Sequence, residues 1–341
     1  MAKKQQMMTS KEDYDHTKCD EFMHEVVNRF RKKRNGDLVL NKVIVTGGSG
    51  FLGKRLQIEK PEWNYISSKD CDLTDSSQVA ELFNELKPDA IVHLAARVGG
   101  IKDNIEKQAE YYHANTLINT NVIHEAHKAG IDRVLSSLST CAFPDRAQYF
   151  PFPEEMFFDG PPATTNFSYG MTKRMLQVSS MAYRKQYGHN YSTFSPSNLY
   201  GPGDHFGESS SHFVASLIHK IASTSDGDTV ELWGTGLPLR QQLYIDDLCK
   251  IIPLLLKQHN TSVPLIVAPK ENLTILEMSR TLIEQTGKNV RLSFNGKMDG
   301  QFRKDGDNTQ LLQLIGSFEF MKFKEGVKHS YEWYLENIKN G

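Results

Sequence analysis

The chain has 341 residues, enough to bury a full-sized core in one large α/β domain or in two smaller ones. Lys and Arg number 40 against 41 Asp and Glu, which argues against a basic surface for nucleic acid or an anionic membrane. No apolar run approaches membrane-spanning length, and the first residues lack the apolar core of a signal peptide. We therefore expect a globular protein with neither a nucleic-acid partner nor a membrane partner.

The cysteines are few and widely spaced. Cys19, Cys71, Cys141 and Cys249 form no CxxC pair, a distribution typical of neither a disulfide framework nor a zinc site. The sequence therefore predicts no metal site and a reducing, cytoplasmic location.

Residues 1–40 are predicted to be an N-terminal extension. Apolar residues from Phe22 to Phe30 recur at helical spacing, which favours a short amphipathic helix. The basic run that follows, Arg29 to Arg34, is interpreted as a solvated helix end, with a localisation or phosphate-binding signal as the alternative.

From Lys42 onward the apolar runs alternate between strand and helix patterns. Strands are predicted at Val43–Val45, Trp63–Ser67, Ala90–Leu94, Arg133–Ser137 and Tyr191–Ser195, and helices at Asp75–Leu86 and Asn104–Ala129. This alternation predicts an α/β fold of Rossmann type, a doubly wound parallel sheet with right-handed crossovers. Beyond Tyr200 the regular alternation of strand and helix patterns ends, which indicates a smaller C-terminal lobe.

Three glycines follow the first predicted strand. Gly47, Gly50 and Gly53 stand between a Val/Ile strand and a helix start, with Phe51 and Leu52 among them. Glycines at this place let the backbone approach a pyrophosphate at a helix N-terminus, because a Cβ would block that approach. We predict a dinucleotide-binding loop; the alternative is a tight strand–helix turn without a ligand.

The end of the second strand favours NADPH. An NAD-preferring site usually has an acidic residue there, whereas this strand ends in Ser67, Ser68 and Lys69. Lys54 and Arg55 lie near the glycine loop. Hydroxyls and cations suit a 2′-phosphate; the alternative is that these are solvated charges on a helix and a turn.

Further cofactor contacts are expected at Asp72, a candidate acceptor from the adenine amino group, and at the small residues closing the third strand, Leu94, Ala95 and Ala96. Pro61 predicts that the helix after the glycine loop is short. We assign residues 41–198 to an NADP-binding Rossmann domain, to which 241–270 return, and residues 199–240 and 271–341 to a substrate-binding lobe.

Tyr169 and Lys173 are four residues apart in a predicted helix, so their side chains share one face. Such a pair often occurs by chance, but here it follows a dinucleotide loop and a strand ending in serines. A neighbouring ammonium is expected to lower the pKa of a phenol from about 10, which suits acid–base work. A serine hydroxyl then polarises the carbonyl that receives hydride; Ser139 is the candidate and Ser137 the alternative.

Around these residues the chain resembles the extended short-chain dehydrogenases/reductases and, within that superfamily, is similar to the GDP-L-fucose synthase family. The resemblance runs from about Lys42 to the C-terminus. It is carried by His93-Leu-Ala-Ala-Arg-Val-Gly-Gly100, Leu138-Ser-Thr-Cys-Ala-Phe-Pro144, Asn198-Leu-Tyr-Gly-Pro202, Ser211-His-Phe213, Trp233-Gly-Thr-Gly-Leu-Pro-Leu-Arg240 and Asp299-Gly-Gln-Phe-Arg-Lys304.

The resemblance implies an NADPH-dependent 3,5-epimerisation and 4-reduction of GDP-4-keto-6-deoxy-D-mannose to GDP-L-fucose. It implies that Ser139, Tyr169 and Lys173 carry out hydride transfer. It also implies that Cys141 is the base and His212 the acid of epimerisation. A thiolate and an imidazole both titrate close enough to neutral pH for these roles.

The resemblance further implies contacts to the GDP-sugar. Trp233 would supply an aromatic surface, and Lys220 and Arg240 charge for the diphosphate. The full set is Asn198, Lys220, Trp233, Arg240 and Lys304. A homodimer built on the two long helices, Asn104–Ala129 and the one carrying Tyr169, is implied as well.

Two other functions compete with this one. The first is C4 reduction of a related GDP-4-keto sugar, such as a 6-deoxyheptose, with partial or no epimerisation; the presence of Cys141 and His212 argues against it. The second is a nonenzymatic, dinucleotide-sensing protein, which would be free to lose Tyr169 or Lys173.

Overall fold

The computed structural model describes residues 40–207, 211–297 and 299–339. All but the last residue of the predicted N-terminal extension, with its helix, its basic run and Cys19, lies outside the described residues. No helix in the described ranges is long and apolar enough to cross a bilayer.

The strands, in chain order, are β1 Val43–Thr46, β2 Asn64–Ile66, β3 Ala90–His93, β4 Arg133–Ser137, β5 Asn190–Pro196, β6 Asn198–Tyr200, β7 Thr229–Leu232, β8 Leu239–Arg240, β9 Gln242–Tyr244, β10 Pro264–Val267, β11 Leu273–Thr274, β12 Arg291–Phe294 and β13 Arg303–Lys304. The α-helices are α1 Phe51–Glu59, α2 Ser76–Leu86, α3 Ile101–Glu106, α4 Gln108–Lys128, α5 Phe167–Tyr187, α6 Phe213–Ser223, α7 Ile245–Gln258, α8 Ile275–Thr286, α9 Thr309–Ile315 and α10 Phe323–Tyr334.

Six of these strands form a central parallel sheet in the order β10-β5-β4-β3-β1-β2. Strands β1, β3 and β10 read as nearly continuous apolar runs because both faces of the sheet are covered there. Ile44 and Ile91 face a core shared with α2, α4 and α5, whereas their neighbours Val43 and Val45 face a core shared with α1 and α7. The predicted doubly wound α/β fold is therefore confirmed.

A third apolar core lies among the segments that follow Tyr200. It joins buried residues of α6, α8 and α10 with Tyr200 and Tyr244, the last residues of β6 and β9. These two short strands pair in parallel and stand apart from the six-stranded sheet. The end of the regular alternation after Tyr200 thus corresponds to a change from one large sheet to several small sheets.

The predicted elements match the observed ones closely, with one error. All five predicted strands are present within a residue or two of their predicted ends, and α1 ends at Glu59, before Pro61. The single helix predicted at Asn104–Ala129 is wrong, because α3 and α4 are separated at Lys107. There the Asp103 carboxylate bonds both the Lys107 ammonium and the Tyr111 hydroxyl, a one-residue interruption that helical periodicity does not reveal.

Candidate active site

The glycine loop packs tightly against the end of β3. Gly47 has φ +77°, and a Cβ there would lie 2.9 Å from the backbone nitrogen of Ala95. The Gly50 N–H donates to the Gly47 carbonyl at 3.0 Å, which closes the turn immediately before α1. The first backbone N–H groups of α1, those of Phe51 and Leu52, have no carbonyl partner within the helix and bear its positive dipole. This arrangement is suited to holding a pyrophosphate.

A buried hydrogen-bond chain holds the ends of β1 and β3 together. The Thr46 hydroxyl lies 2.8 Å from His93 Nδ1 and accepts from the Ala95 N–H at 3.3 Å. On the other side of the ring, His93 Nε2 lies 3.2 Å from Asn119 Oδ1. Burial, assisted by the charge of Lys173, lowers the pKa of His93 to about 3. His93 is therefore a neutral structural residue that places Leu94, Ala95 and Ala96 beside the glycine loop.

The turn after β2 carries the predicted 2′-phosphate contacts. Ser68 and Lys69 are exposed there. Ser67 donates its hydroxyl and its N–H to Asp70 Oδ2 at 2.6 and 2.8 Å, and these bonds lower the pKa of Asp70. Asp70 lies close to the position at which NAD-binding sites carry an acidic residue for the ribose 2′-hydroxyl. Its carboxylate, however, is already hydrogen-bonded to Ser67 in the same turn.

The two cations near the glycine loop differ in their surroundings. Arg55 forms a bidentate ion pair with Asp246 at the start of α7, its Nη2 lying 2.8 Å from Asp246 Oδ2. Lys54 is exposed. Arg55 therefore ties α1 to α7, and Lys54 is better placed than Arg55 to meet a phosphate.

Asp72 organises the loop between β2 and α2. Its Oδ1 accepts from the Thr74 N–H and hydroxyl at 2.9 and 2.7 Å, and its own N–H donates to Gln78 at 3.0 Å. Asp72 is exposed, and its hydrogen bonds within the turn use Oδ1.

Helix α5 positions the tyrosine–lysine pair. The Lys173 ammonium donates to the Ser137 carbonyl at 2.7 Å and lies 5.7 Å from the centre of the Tyr169 ring. Gly170 brings this helix against the turn that follows β4, since a Cβ there would lie 2.9 Å from the Cys141 carbonyl oxygen. Burial lowers the pKa of Lys173 to about 8.

The pKa of Tyr169 contradicts the sequence-based expectation. Burial raises it, the charge of Cys141 raises it further, and a hydrogen bond with Ser139 opposes both. The expectation of a lowered phenol pKa is wrong because the loss of solvent outweighs any help from the ammonium of Lys173, which is directed at the Ser137 carbonyl.

The structure distinguishes the two candidate serines. Ser139 caps the 3₁₀ turn Thr140–Ala142, accepts from the Cys141 N–H at 3.1 Å and forms a hydrogen bond with Tyr169. Ser137 is buried in β4 and directs its hydroxyl at the Leu138 carbonyl, 3.4 Å away. Ser139, rather than Ser137, therefore lies beside the tyrosine.

The Cys141 thiol faces an ammonium from β13. Lys304 Nζ lies 2.9 Å from Cys141 Sγ. Burial works to raise the pKa of Cys141, but the charge and hydrogen bond of Lys304, a hydrogen bond with Ser139 and the charge of His212 together lower it. A thiolate is thus stabilised at this position.

His212 stands immediately before α6, near enough to Cys141 for the charge of each group to act on the other. Its Nδ1 lies 3.4 Å from the buried carboxylate of Asp204. The hydrogen bond with Asp204 raises the pKa of His212 against the opposing effect of burial, and the charges of Asp204 and Cys141 raise it further. The site thus favours a thiolate and an imidazolium together.

The predicted substrate contacts divide into two groups. Arg240 and Lys304 are register partners on β8 and β13, and the charge of Cys141 acts on Arg240, so these residues join the cluster of Ser139, Tyr169 and His212. In the described residues, no side-chain hydrogen bond or ion pair joins Asn198, Lys220 or Trp233 to that cluster. Of these, Trp233 is 76% exposed on the loop after β7, and Asn198 and Lys220 are half-buried on β6 and α6.

Sequence reasoning missed two features of this site. It placed Lys304 only against the substrate, whereas the structure brings its ammonium to Cys141. It did not single out Asp204 at all. The available signal was the turn Gly201–Asp204 just before the Ser211-His212 pair, since Gly-Pro-Gly-Asp is a turn sequence that ends in a carboxylate.

Comparisons with known proteins agree on one family. Residues 43–267 match the NAD dependent epimerase/dehydratase family. A probable GDP-L-fucose synthase of Drosophila melanogaster is 34% identical over 316 residues, which cover 87% of this chain and 98% of that protein. A GDP-L-fucose synthetase of Naegleria fowleri, solved with NADP bound, has a TM-score of 0.82 and 29% identity over 88% of this chain and 94% of that one.

A heptose-modifying enzyme shares the fold at lower identity. The GDP-6-OMe-4-keto-L-xylo-heptose reductase of C. jejuni has a TM-score of 0.79 and 22% identity, covering 87% of this chain and 98% of that one. The chain therefore belongs to the NAD dependent epimerase/dehydratase family and, within it, to the GDP-L-fucose synthases.

Proposed function

We propose that this protein converts GDP-4-keto-6-deoxy-D-mannose into GDP-L-fucose by inverting C3 and C5 and then reducing C4 with NADPH. The observation that carries the proposal is the juxtaposition of two sets of groups. A thiol held by Lys304 and a histidine held by Asp204 lie beside the Ser139–Tyr169 pair. The thiol and the histidine suit proton exchange at carbon, and the Ser139–Tyr169 pair suits reduction of a carbonyl.

The glycine loop fits the cofactor. The space beside Gly47, which a Cβ would fill, and the N-terminal amides of α1 suit a pyrophosphate. The exposed Lys54, Ser68 and Lys69 suit a 2′-phosphate, and Asp72 with Leu94–Ala96 would line the nucleoside. When bound, NADPH supplies the hydride for C4.

Epimerisation uses the thiolate and the imidazolium. Hydrogens at C3 and C5 are acidic because the enolate places charge on the C4 oxygen. Cys141 removes a proton from one face, and His212 returns one to the opposite face. Each inversion leaves a thiol and a neutral imidazole, so both groups must exchange protons before the second inversion. The His212 side chain, 54% exposed, is open to such exchange.

Reduction uses Tyr169 as an acid. Because burial raises the pKa of its phenol, Tyr169 stays protonated at neutral pH and is able to donate a proton to the C4 oxygen as that oxygen gains charge. Ser139 would donate a second hydrogen bond to the same oxygen. Lys173, fixed on the Ser137 carbonyl, holds a positive charge behind the ring.

The GDP moiety would extend from this cluster toward the loop after β7. Arg240 and Lys220 suit the diphosphate, and Trp233 offers an exposed ring on which a purine stacks. Asn198 completes the proposed contacts, and we assign the segments 199–240 and 271–341 to the lobe that binds the sugar nucleotide, with 41–198 and 241–270 forming the domain that binds the cofactor.

We further propose a cytoplasmic homodimer that packs through α4 and α5. The apolar side chains exposed on these helices support it: Tyr112, Phe167, Met171, Val178 and Met181. Free thiols at Cys71, Cys141 and Cys249 are consistent with a reducing compartment.

The test is product analysis. Purified protein incubated with NADPH and GDP-4-keto-6-deoxy-D-mannose should oxidise the cofactor, and NMR of the product should show the L-galacto configuration of GDP-L-fucose. Deuterium from the solvent should appear at C3 and C5. No NADPH oxidation with this compound, together with turnover of a GDP-4-keto-6-deoxyheptose, would instead support the C4-reductase alternative.

A further inference from the structure

Asp204 is a buried carboxylate aimed at His212. Its side chain is 2% exposed, and its Oδ1 lies 3.4 Å from His212 Nδ1. The same oxygen accepts the His205 N–H at 2.7 Å, which fixes the orientation of the carboxylate. Asp204 therefore contacts one ring nitrogen of His212, Nδ1, and does not occupy Nε2.

The carboxylate is held by a rigid turn. The Asp204 N–H donates to the Gly201 carbonyl at 3.3 Å, and Gly201 follows directly on β6. Gly201 has φ +150° and packs against Ile245 at the start of α7. The turn thus fixes Asp204 relative to the strand pair that carries Tyr200 and Tyr244.

The second oxygen of this carboxylate, Oδ2, is buried without a hydrogen-bond partner in the part of the chain that the structure describes. A buried carboxylate is costly unless a cation or several donors satisfy it. The cation within reach is the imidazolium of His212. Among the described residues, His212 is the titratable side chain that hydrogen-bonds to this carboxylate.

We propose that Asp204 is a positioning residue for His212: it binds Nδ1–H, so that Nε2–H is the group delivered to the sugar. The proposal rests on the proposed function. In each inversion the Nε2–H bond breaks, its proton forms the new C–H bond with the electron pair of the enolate, and Nδ1–H stays on Asp204. The ring ends as a neutral tautomer, which solvent protonates again at Nε2.

The charges around His212 agree with this role. Within residues 40–207, 211–297 and 299–339, the charged and titratable groups that act on the ring are Asp204 and Cys141, and both favour its protonated form. The hydrogen bond from the ring to Asp204 is the largest influence on the pKa of His212 and raises it, against burial. A histidine so held donates a proton over a wider pH range than a free one.

The test replaces the carboxylate by an amide of the same shape, Asp204→Asn. In the protein alone, NMR titration of the His212 ring protons, assigned by their loss in His212→Gln, should give a pKa lower by about one unit. Solvent-deuterium incorporation at C3 and C5 should slow roughly tenfold to hundredfold, and its pH profile should lose activity at the alkaline side first. The affinity for NADPH should stay unchanged, because the hydrogen bonds of the Asp204 carboxylate go to His205 and His212 and not to the glycine loop.

Two further variants complete the test. Asp204→Glu keeps the charge and should recover part of the exchange rate, and it also serves if Asp204→Asn does not fold. His205→Gln is the matched control, since Asp204 contacts only the backbone of that exposed histidine, and it should leave the exchange rate and the His212 titration unchanged.

The outcomes separate the two proposals. An unchanged His212 titration and an unchanged exchange rate in Asp204→Asn overturn the role of Asp204. Failure of the wild-type protein to exchange deuterium or oxidise NADPH overturns the proposed function, whatever the titration shows.

Discussion

At the scale of single residues, the site sets two pKa values in opposite directions. The pKa of Cys141 is lowered, so its thiolate persists to lower pH, and the pKa of His212 is raised, so its imidazolium persists to higher pH. Both shifts widen the pH range in which a base and an acid are present together. The charge of each group also stabilises the charge of the other, so loss of either should weaken its partner.

Lys304 should control the reactivity of Cys141. In Lys304→Met the ammonium is lost and only the hydrogen bond with Ser139 and the charge of His212 still oppose burial, so the pKa of the thiol should rise by about one unit or more. The pH dependence of iodoacetamide alkylation, followed at each cysteine by mass spectrometry, measures this. Cys71 and Cys249 are internal controls, because burial raises the pKa of both thiols and should keep them slow. An unchanged alkylation profile at Cys141 would show that the ion pair does not activate the thiol.

Tyr169→Phe should separate the two halves of the reaction. Removal of the phenolic proton should slow NADPH oxidation by roughly 10²–10⁴-fold. Deuterium incorporation at C3 and C5 should continue, because Cys141 and His212 are retained. Stopped-flow absorbance of the cofactor and NMR of the sugar follow the two events independently; equal losses in both would contradict this division of labour.

Much of the candidate site is predictable from local sequence. The remainder depends on contacts between residues that are distant in the chain. Tyr169 and Lys173 share a helical face, and Ser139 and Cys141 share one turn, so short motifs predict them. Lys304 is 163 residues from Cys141 in the chain, and only folding shows that their side chains meet. The pKa of Tyr169 was mispredicted for the same reason, since burial is a property of the whole fold.

At the scale of elements, buried polar contacts join the strands of the sheet to the helices on its faces. Arg133 on β4 is 2% exposed, and its guanidinium donates to the Leu255 and Leu256 carbonyls, both at 2.8 Å, and to the Asn190 carbonyl at 3.0 Å. These first two carbonyls belong to the last turn of α7, where a cation also meets the negative end of the helix dipole. The Arg133 side chain therefore links β4, on which it lies, to β5 and α7.

Arg133→Met should be strongly destabilising. The apolar side chain fills the space but leaves several buried carbonyls without a donor, at a cost of roughly 2–4 kcal/mol in the free energy of unfolding. Urea denaturation followed by circular dichroism measures it. Arg291→Met is the comparison, because that exposed guanidinium donates to the Gly227 carbonyl at the surface and should cost less than about 1 kcal/mol. Equal losses in the two variants would contradict the role given to Arg133.

The strands were predictable from sequence for a reason that does not extend to the helices. Strands β1, β3 and β10 are buried along their whole length, so they read as nearly unbroken apolar runs. The interruption between α3 and α4 is a change of backbone angles at one residue, Lys107, with φ −121° and ψ 37°. Periodicity predicts that a helix exists, whereas a break of a single residue leaves the apolar spacing on either side unchanged.

At the scale of the whole molecule, three apolar cores divide the described residues. Two lie on the faces of the six-stranded sheet, and the third joins the helices and short strands after Tyr200. The groups of the candidate site come from both regions. Ser139, Cys141 and Tyr169 lie on the turn and helix that follow strand β4 of the large sheet. His212 and Lys304 lie on segments that come after Tyr200. The reacting groups therefore meet where the sheet and the later segments face each other.

Dimer formation is the prediction at this scale. Val178→Arg should place a charge at the centre of the exposed apolar stripe on α5 and shift the protein from dimer to monomer, as measured by sedimentation velocity. Ile58→Arg, on the outer face of α1, is the control, since that side chain is 70% exposed but lies far from α5 in the fold. A wild-type protein that sediments as a monomer, or a Val178→Arg variant that remains a dimer, would contradict the proposed interface.

The position of β10 in the sheet has a consequence for synthesis. β10 pairs with β5, yet residues 197–263 separate them in the chain. When β5 leaves the ribosome it therefore presents an open edge, because its second neighbour and the helix α7 that covers one face have not yet been made. Open edges of this kind recruit other chains. Nascent chains that stop short of residue 264 should therefore aggregate, and chains that extend past residue 267 should become able to close the sheet.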